Sequence, residues 1–349
     1  GRVTAQLVAQ EVSLRTGVPV ESLTERQKER ISKIESHLEK LVFGQDPAIR
    51  RLADSVRLAR AGLRDPDKPR GVFLMVGSSG IGKTELARCL ADFLFPEGNA
   101  LIKLDMSEYS EKFSGSRLLG APPGYSGHGD EGQLTGPLRR RPYSVVLLDE
   151  FEKAHADVQA LFLSLFDEGI ITDSESRKIH AREAIFIMTT NAGCQVSGSG
   201  RVGFSGGDNS ERQAAIAKIQ PYFRPELLSR VDDILVFRPL DNEVLEQIIV
   251  LHLGRLKDRA ALQGVNFGWG PKVAALCARH EADVRYGARP ALRAIDTLVA
   301  EPLGLLMLRG DSPSIRCVVK EGAIKFKEGD LPLAEQDSYD AGVDEMVGE

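Results

Sequence analysis

Gly77-Ser78-Ser79-Gly80-Ile81-Gly82-Lys83-Thr84 sets three glycines, a lysine and a hydroxyl in the order that cradles phosphate groups. The glycines let backbone N–H groups wrap the phosphate oxygens. Lys83 then reaches the β and γ oxygens, and the Thr84 hydroxyl is a Mg²⁺ ligand. Binding alone is not hydrolysis, which also needs an acid to place the metal and a group to orient water. Asp149 and Glu150 close the apolar run Val145-Val146-Leu147-Leu148 and supply both. Asp149 would hold Mg²⁺ through its water shell, and Glu150 would polarise the attacking water. Asn191 ends the next apolar run, where its amide could position the same water near the γ-phosphate. Taken by itself, Asn at such a point is a turn former.

These groups can meet only if buried strands deliver them to one edge of a sheet. Val72–Val76 is a continuous apolar run that empties into the Gly-rich turn, the mark of a strand covered on both faces. Leu101–Leu104, Val145–Leu148, Ala184–Met188 and Ile234–Phe237 read the same way, with helical stretches at Thr84–Leu94 and Val158–Glu168 between them. Strands alternating with helices predict an α/β fold, a parallel sheet with helices on both faces. Upstream, Thr24 and Gln27 fit a capping box ahead of Ile31, Ile34, Leu38 and Leu41, which predicts one amphipathic helix. A second helix is expected from Gly44 to Ala61, stopped by Gly62. Past Leu240 the pattern turns helical, at Asp241–Ala260, Pro271–His280 and Arg289–Leu308. It ends in a hairpin of Ser314–Val319 and Ala323–Lys327 turned at Glu321-Gly322. We therefore expect a connector over 1–23, a large domain over 24–239, a small domain over 240–327 and a disordered acidic tail over 328–349.

Composition narrows the classes further. The 349 residues are 42% hydrophobic and 27% charged, enough for a core and a solvated surface. No apolar run reaches the roughly 18 residues of a membrane span. The net charge of −5 gives no reason to expect nucleic acid as the main partner. Residues 328–349 hold eight acids and no Lys or Arg, so the preceding 327 residues carry +3. The four cysteines are scattered, and Cys277 with His280 is one pair short of a zinc site, which suggests a reducing compartment. A first residue that is Gly, with no charged-then-apolar leader after it, suggests a piece of a longer cytoplasmic chain.

Beyond the Gly-Lys-Thr turn, several segments carry a resemblance. They are residues 147–155 (Leu-Leu-Asp-Glu-Phe-Glu-Lys-Ala-His), 188–193 (Met-Thr-Thr-Asn-Ala-Gly), 223–230 (Phe-Arg-Pro-Glu-Leu-Leu-Ser-Arg) and 286–290 (Tyr-Gly-Ala-Arg-Pro). Together they resemble the Clp family of AAA+ unfoldases, from residue 1 to about 327. The closest likeness is to the second ATPase module of two-module, ClpA-, ClpB- or ClpC-like members. The resemblance implies an AAA+ P-loop large domain followed by a small, mainly helical C-terminal domain, with ATP and Mg²⁺ as cofactors. It also implies a homo-oligomeric ring, a hexamer in the family, that threads polypeptide through a central pore. Arg230 then matches the arginine finger, which reaches the ATP of a neighbouring subunit and stabilises transition-state charge. Arg289 matches the small domain's sensor arginine at the γ-phosphate, and Val42, Phe43 and Gly44 match the segment that flanks the adenine. Tyr125 in Gly124-Tyr125-Ser126-Gly127 matches the pore-loop aromatic that pushes on substrate. The family has Val more often than Ser at position 126. Ile171–His180 would be a second, polar pore loop.

Val202-Gly203-Phe204, in a Gly/Ser-rich stretch, matches the tripeptide by which some members dock on a ClpP-type peptidase. An apolar tripeptide with no core to pack on suits a partner's pocket. Three other readings stand beside this one. The first is a ClpB-like disaggregase or secretion-sheath remodeller with no peptidase. The second is a DNA-handling AAA+ protein, against which stands the lack of a basic stripe with interleaved aromatics. The third is a non-hydrolysing nucleotide switch, which would lack Glu150 or Arg230.

Overall fold

The computed structural model describes residues 25–96, 100–121, 131–193, 208–280, 286–310 and 313–328. In chain order its strands are β1 (Gly71–Val76), β2 (Leu101–Asp105), β3 (Val145–Asp149), β4 (Ile170–Thr172), β5 (Lys178–His180), β6 (Ile185–Thr190), β7 (Asp233–Val236), β8 (Asn266–Trp269), β9 (Ser314–Lys320) and β10 (Ala323–Glu328). The chain splits into two compact units, Gly1–Ser78 with Gly82–Phe237, and Ser79–Ile81 with Arg238–Glu349.

In the first unit β1 and β6 are buried at every residue, which is why their sequences show no polar alternation. Five strands pair in the order β2-β3-β6-β1-β7, all parallel. Parallel neighbours need crossover connections, and the helices Lys83–Leu94 and Ala156–Glu168 lie within two of them. Val72, Leu74, Val146, Leu148, Phe186 and Met188 share one core with Phe162, Leu165 and Phe166 of helix Ala156–Glu168. The alternate residues Phe73, Met75, Val145, Leu147, Ile185 and Ile187 are also buried, and helix Lys83–Leu94 packs against β2, β3 and β6 with Leu86, Ala87 and Leu90 buried. A row of rings runs through the first core. Phe151 meets Phe162 edge-on at 5.5 Å, Phe162 lies 5.9 Å from Phe166, and Phe166 meets Phe186 at 5.4 Å. The register sets Asp105 beside Asp149 and Val76 beside Thr190, so β1, β3 and β6 end along one edge.

Several expectations need correcting. The expected helix over Thr24–Leu41 is two helices, Glu25–Ser32 and Ile34–Glu39, parted at Lys33. The Ser32 carbonyl accepts from Arg57 Nη2 at 3.1 Å, and the Ser32 hydroxyl bonds back to the Glu29 carbonyl at 2.6 Å. Both bonds compete with a continuing helix. Within 171–180, expected as a second, polar pore loop, β4 and β5 form an antiparallel hairpin with Ile171 and Ile179 buried. Asp173 organises its tip by accepting from the Glu175 and Arg177 N–H groups, each at 2.9 Å.

The second unit holds the helices Asn242–Leu262, Lys272–Arg279, Arg289–Ile295 and Glu301–Arg309, with a three-stranded sheet in the order β10-β9-β8. β8 was not foreseen, because Asn266-Phe267-Gly268-Trp269 is short and broken by Gly. Its parallel pairing with β9 makes it a strand. The helix expected over Arg289–Leu308 contains a wide turn at Asp296–Ala300. Pro302 has no N–H for the carbonyl four residues back, so the ladder slips there. β10 runs on to Glu328, one residue into the acidic stretch. Among the described residues no helix is long and apolar enough to cross a membrane.

Cys277 and Cys317 lie fully buried in the second unit's core. Burial pushes the Cys277 thiol up to about 11 and the Cys317 thiol up to about 12. A solvated thiol ionises near about 8.5, so the unfolded chain gives up protons that the native state keeps. Stability should therefore be intact below about pH 8.5 and fall as pH climbs toward about 11, by up to about 1.4 kcal/mol per thiol per pH unit. Urea denaturation of the wild type and of Cys277→Ala/Cys317→Ala across that range checks this. The double variant should show the shallower alkaline decline.

Candidate active site

β1 stops at Val76, and the Gly77 N–H still bonds the Thr190 carbonyl at 3.2 Å, so the phosphate-type loop leaves the sheet beside β6. Gly82 has φ +103°, a conformation open to glycine, and the helix Lys83–Leu94 begins directly on it. A Cβ there would stand 3.4 Å from Val42 Cγ1, which places buried Val42 against the loop, with half-buried Phe43 next to it in the chain. Thr84 is half-buried in the first helical turn. Lys83 is 7% exposed, although an ammonium is costly to bury. Its Nζ donates to the Gly77 carbonyl at 2.5 Å, the Ser78 carbonyl at 2.6 Å and Asn191 Oδ1 at 2.7 Å.

The other end of the Asn191 amide reaches the acid pair: Nδ2 donates to Glu150 Oε1 at 3.2 Å. One side chain thus links the lysine of the loop to the candidate base. Glu150 holds a left-handed conformation at φ 56°, ψ 49°. In a non-glycine residue this costs of order 1–3 kcal/mol and must be held by its surroundings. Phe151 is buried on one side of it, and the Glu150 N–H donates to Thr189 Oγ1 at 3.0 Å. The Thr189 hydroxyl in turn donates to Asp149 Oδ1 at 2.6 Å, so it joins the two acids. Lys103 Nζ lies 3.1 Å from Asp149 Oδ2. Lys153 bonds Glu150 Oε2, and that bond raises the lysine's pKa above its ordinary value. Glu152 Oε1 accepts the Asn191 N–H at 3.0 Å.

Thr189, Lys103, Lys153 and Glu152 were not singled out as site residues. Three of them stand inside segments that carried the family resemblance, adjacent to residues that were. Lys103, in β2, needed the β2–β3 register to be found.

The chemistry of the donors fits a Mg²⁺–nucleotide. Mg²⁺ is commonly held by one or two protein oxygens plus substrate phosphates, and Thr84 and Asp149 are such donors. Among the described residues there is no His/Cys/Asp/Glu cluster that would hold a metal without phosphate. Arg230 follows the short helix Pro225–Leu228, and its Nε donates to Asp167 Oδ2 at 2.5 Å. None of its hydrogen bonds among the described residues reaches the Lys83–Asn191–Glu150 group. Arg289 opens the helix Arg289–Ile295 of the second unit, is exposed and lies against Gly80: the Ala288 N–H bonds the Gly80 carbonyl at 2.9 Å, and a Cβ on Gly80 would stand 3.2 Å from Arg289 Cγ. Tyr125, Val202, Gly203 and Phe204 lie outside the described residues. Flanking the Tyr125 segment, Gly120 and Glu131 form an antiparallel bridge, and Glu131 pairs with Arg139 and Arg140.

Residues 68–234 match the model of an AAA domain (Cdc48 subfamily), and residues 240–319 match that of the C-terminal, D2-small domain, of ClpB protein. The chain is 42% identical over 310 residues to an ATP-dependent Clp protease ATP-binding subunit ClpC of Staphylococcus epidermidis, a match that spans 87% of this chain and 38% of that protein. It is 40% identical over 333 residues to a chaperone protein ClpB of Chlamydia caviae, spanning 93% and 38%. To a chaperone protein ClpB of Propionibacterium freudenreichii subsp. shermanii it is 43% identical over 308 residues, spanning 88% and 35%. The chain therefore spans little more than a third of these curated relatives.

Thr189→Val keeps the side chain's shape and removes the hydroxyl that joins Asp149 to the Glu150 N–H. Thr189 is 1% exposed, so water cannot easily replace it. Urea unfolding should show a loss of about 1–3 kcal/mol, and nucleotide hydrolysis should fall because Glu150 is no longer pinned.

Proposed function

Because the chain belongs to the Clp family of AAA+ proteins, we propose that it is an ATP-hydrolysing module that works in a ring to unfold and translocate polypeptides. The observation that carries this reading is the Asn191 amide, which accepts from Lys83 Nζ and donates to Glu150 Oε1. A group so placed ties the state of the phosphate-binding lysine to that of the base that activates water.

In this reading the backbone N–H groups of Gly77–Gly82 wrap the phosphates of ATP, Lys83 contacts the β and γ oxygens, and Val42 and Phe43 flank the adenine. Thr84 and Asp149 would hold Mg²⁺, which supplies charge neutralisation at the transferring phosphoryl group. Glu150 takes a proton from the attacking water, and Asn191 orients that water. Arg230 of one subunit reaches the ATP of its neighbour, and Arg289 reads the γ-phosphate from the small domain. Tyr125 pushes on the polypeptide in the pore, the aromatic giving contact area at low side-chain entropy.

The assembly partner we favour is a ClpP-type peptidase docked at Val202-Gly203-Phe204. The second reading is a ClpB-like chaperone without a peptidase. It is favoured by the ClpB type of the matched small domain and by ClpB relatives as similar as the ClpC one.

Three measurements test the reading. Lys83→Ala should abolish nucleotide binding. Glu150→Gln should bind ATP and hydrolyse it on the order of 10²–10⁴-fold more slowly, and brisk turnover by that variant would sink the assignment. Deleting residues 202–204 should stop degradation of an unfoldable fluorescent substrate in the presence of ClpP while its unfolding continues. Degradation that persists would favour the peptidase-free reading.

A further inference from the structure

Arg230 is held in an unusual way for an arginine near the surface. Its Nε donates to Asp167 Oδ2 at 2.5 Å and its Nη1 to the Glu226 carbonyl at 2.6 Å. Nη2 has no hydrogen-bond partner among the described residues. A planar guanidinium tethered through Nε and one terminal nitrogen has its plane fixed, which leaves the N–H groups of Nη2 for another acceptor. The side chain is 28% exposed and borders an open cleft of about 370 Å³, lined also by Arg64, Lys68, Ser229 and Asp232.

Asp167 itself is placed where its own helix gains nothing from it. It stands in the last turn of Ala156–Glu168, followed by Glu168 and with no basic residue in that turn. A carboxylate at the negative end of a helix is unfavourable unless something else answers it. Among the described residues its carboxylate makes one hydrogen bond, the one to Arg230. That helix also carries Phe162 and Phe166 of the ring row starting at Phe151, so Asp167 is rooted in the core that sets the acid pair.

We propose that Asp167 is a positioning residue, which holds the Arg230 guanidinium in the orientation it needs to act on the nucleotide of a neighbouring subunit. This rests on the reading of Arg230 given above. Asp167 does not touch substrate. It removes the rotamer freedom of a long side chain before the neighbour arrives, so less ordering is left for the moment of reaction.

The test uses steady-state ATP hydrolysis by the full chain. Asp167→Ala should lower kcat by about 10²-fold while KM for ATP changes little, since misplacement by about 1 Å has that effect on rate. Asp167→Asn, which keeps an acceptor and loses the charge, should fall between. Glu168→Ala, which removes the exposed neighbouring carboxylate, should keep the wild-type rate, and thermal unfolding of all three confirms folded protein. A wild-type kcat for Asp167→Ala, or an equal loss for Glu168→Ala, overturns the proposal.

Mixed assemblies separate it from the reading beneath it. Mixing Asp167→Ala with Lys83→Ala subunits should restore hydrolysis above either alone, because an intact nucleotide site next to a Lys83→Ala subunit then meets an intact Asp167–Arg230 pair. Mixing Arg230→Ala with Lys83→Ala should do the same. Recovery in the second mixture without the first overturns the role of Asp167 and leaves Arg230 in place. Recovery in neither overturns action across the interface, and the role of Asp167 with it.

Discussion

Three neighbouring strands must end level for the Asn191 amide to do what it does. Its oxygen accepts from Lys83, which sits past the end of β1, and its nitrogen donates to Glu150, which sits past the end of β3. Asn191 itself follows β6, which pairs with both. A shift of one residue in any of these registers turns a side chain to the opposite face and breaks the bridge. The near-complete burial of β1, β3 and β6 is what makes such a shift costly. Core packing and site geometry are therefore one constraint seen from two sides.

The acids of the site are each answered by a different kind of partner. Asp149 has the Thr189 hydroxyl and the Lys103 ammonium, while Glu150 has an amide and an ammonium. Glu152 spends one oxygen on the Asn191 N–H, and its Oε2 is buried with no hydrogen bond among the described residues. A buried, unanswered carboxylate oxygen next to a strained Glu150 is an expensive arrangement, and such expense gathers at functional sites. The buried Phe151 and the rings behind it carry that cost, because they leave the backbone after Asp149 no other path.

The chain is about as similar to a ClpC protein as to ClpB proteins, at 42% against 40% and 43% identity. In the proposed function the strand ends, the phosphate loop and the acid pair serve nucleotide chemistry, which does not distinguish a peptidase-coupled ring from a peptidase-free one. The tripeptide proposed to choose between them, Val202-Gly203-Phe204, stands in a Gly/Ser-rich stretch of the sequence.

Much of the first unit could be read directly, because a strand covered on both faces has to be apolar throughout. The five runs beginning near Val72, Leu101, Val145, Ala184 and Ile234 are the five strands of the sheet. The phosphate loop, Asp149, Glu150 and Asn191 were legible for a related reason, since their chemistry demands particular residue types at strand ends. Harder to read was whatever depends on a partner distant in the chain. β8 exists because β9 lies beside it, and the break at Lys33 exists because Arg57 takes the Ser32 carbonyl. The sequence by itself determined which residues could do chemistry and which segments had to be buried, because both follow from side-chain type and local spacing. Only the tertiary structure decided that Thr189 joins the two acids, that Lys103 answers Asp149 and that Asp167 holds Arg230. Those pairings join residues 39 or more apart in the chain and come into being only when the strands and helices pack.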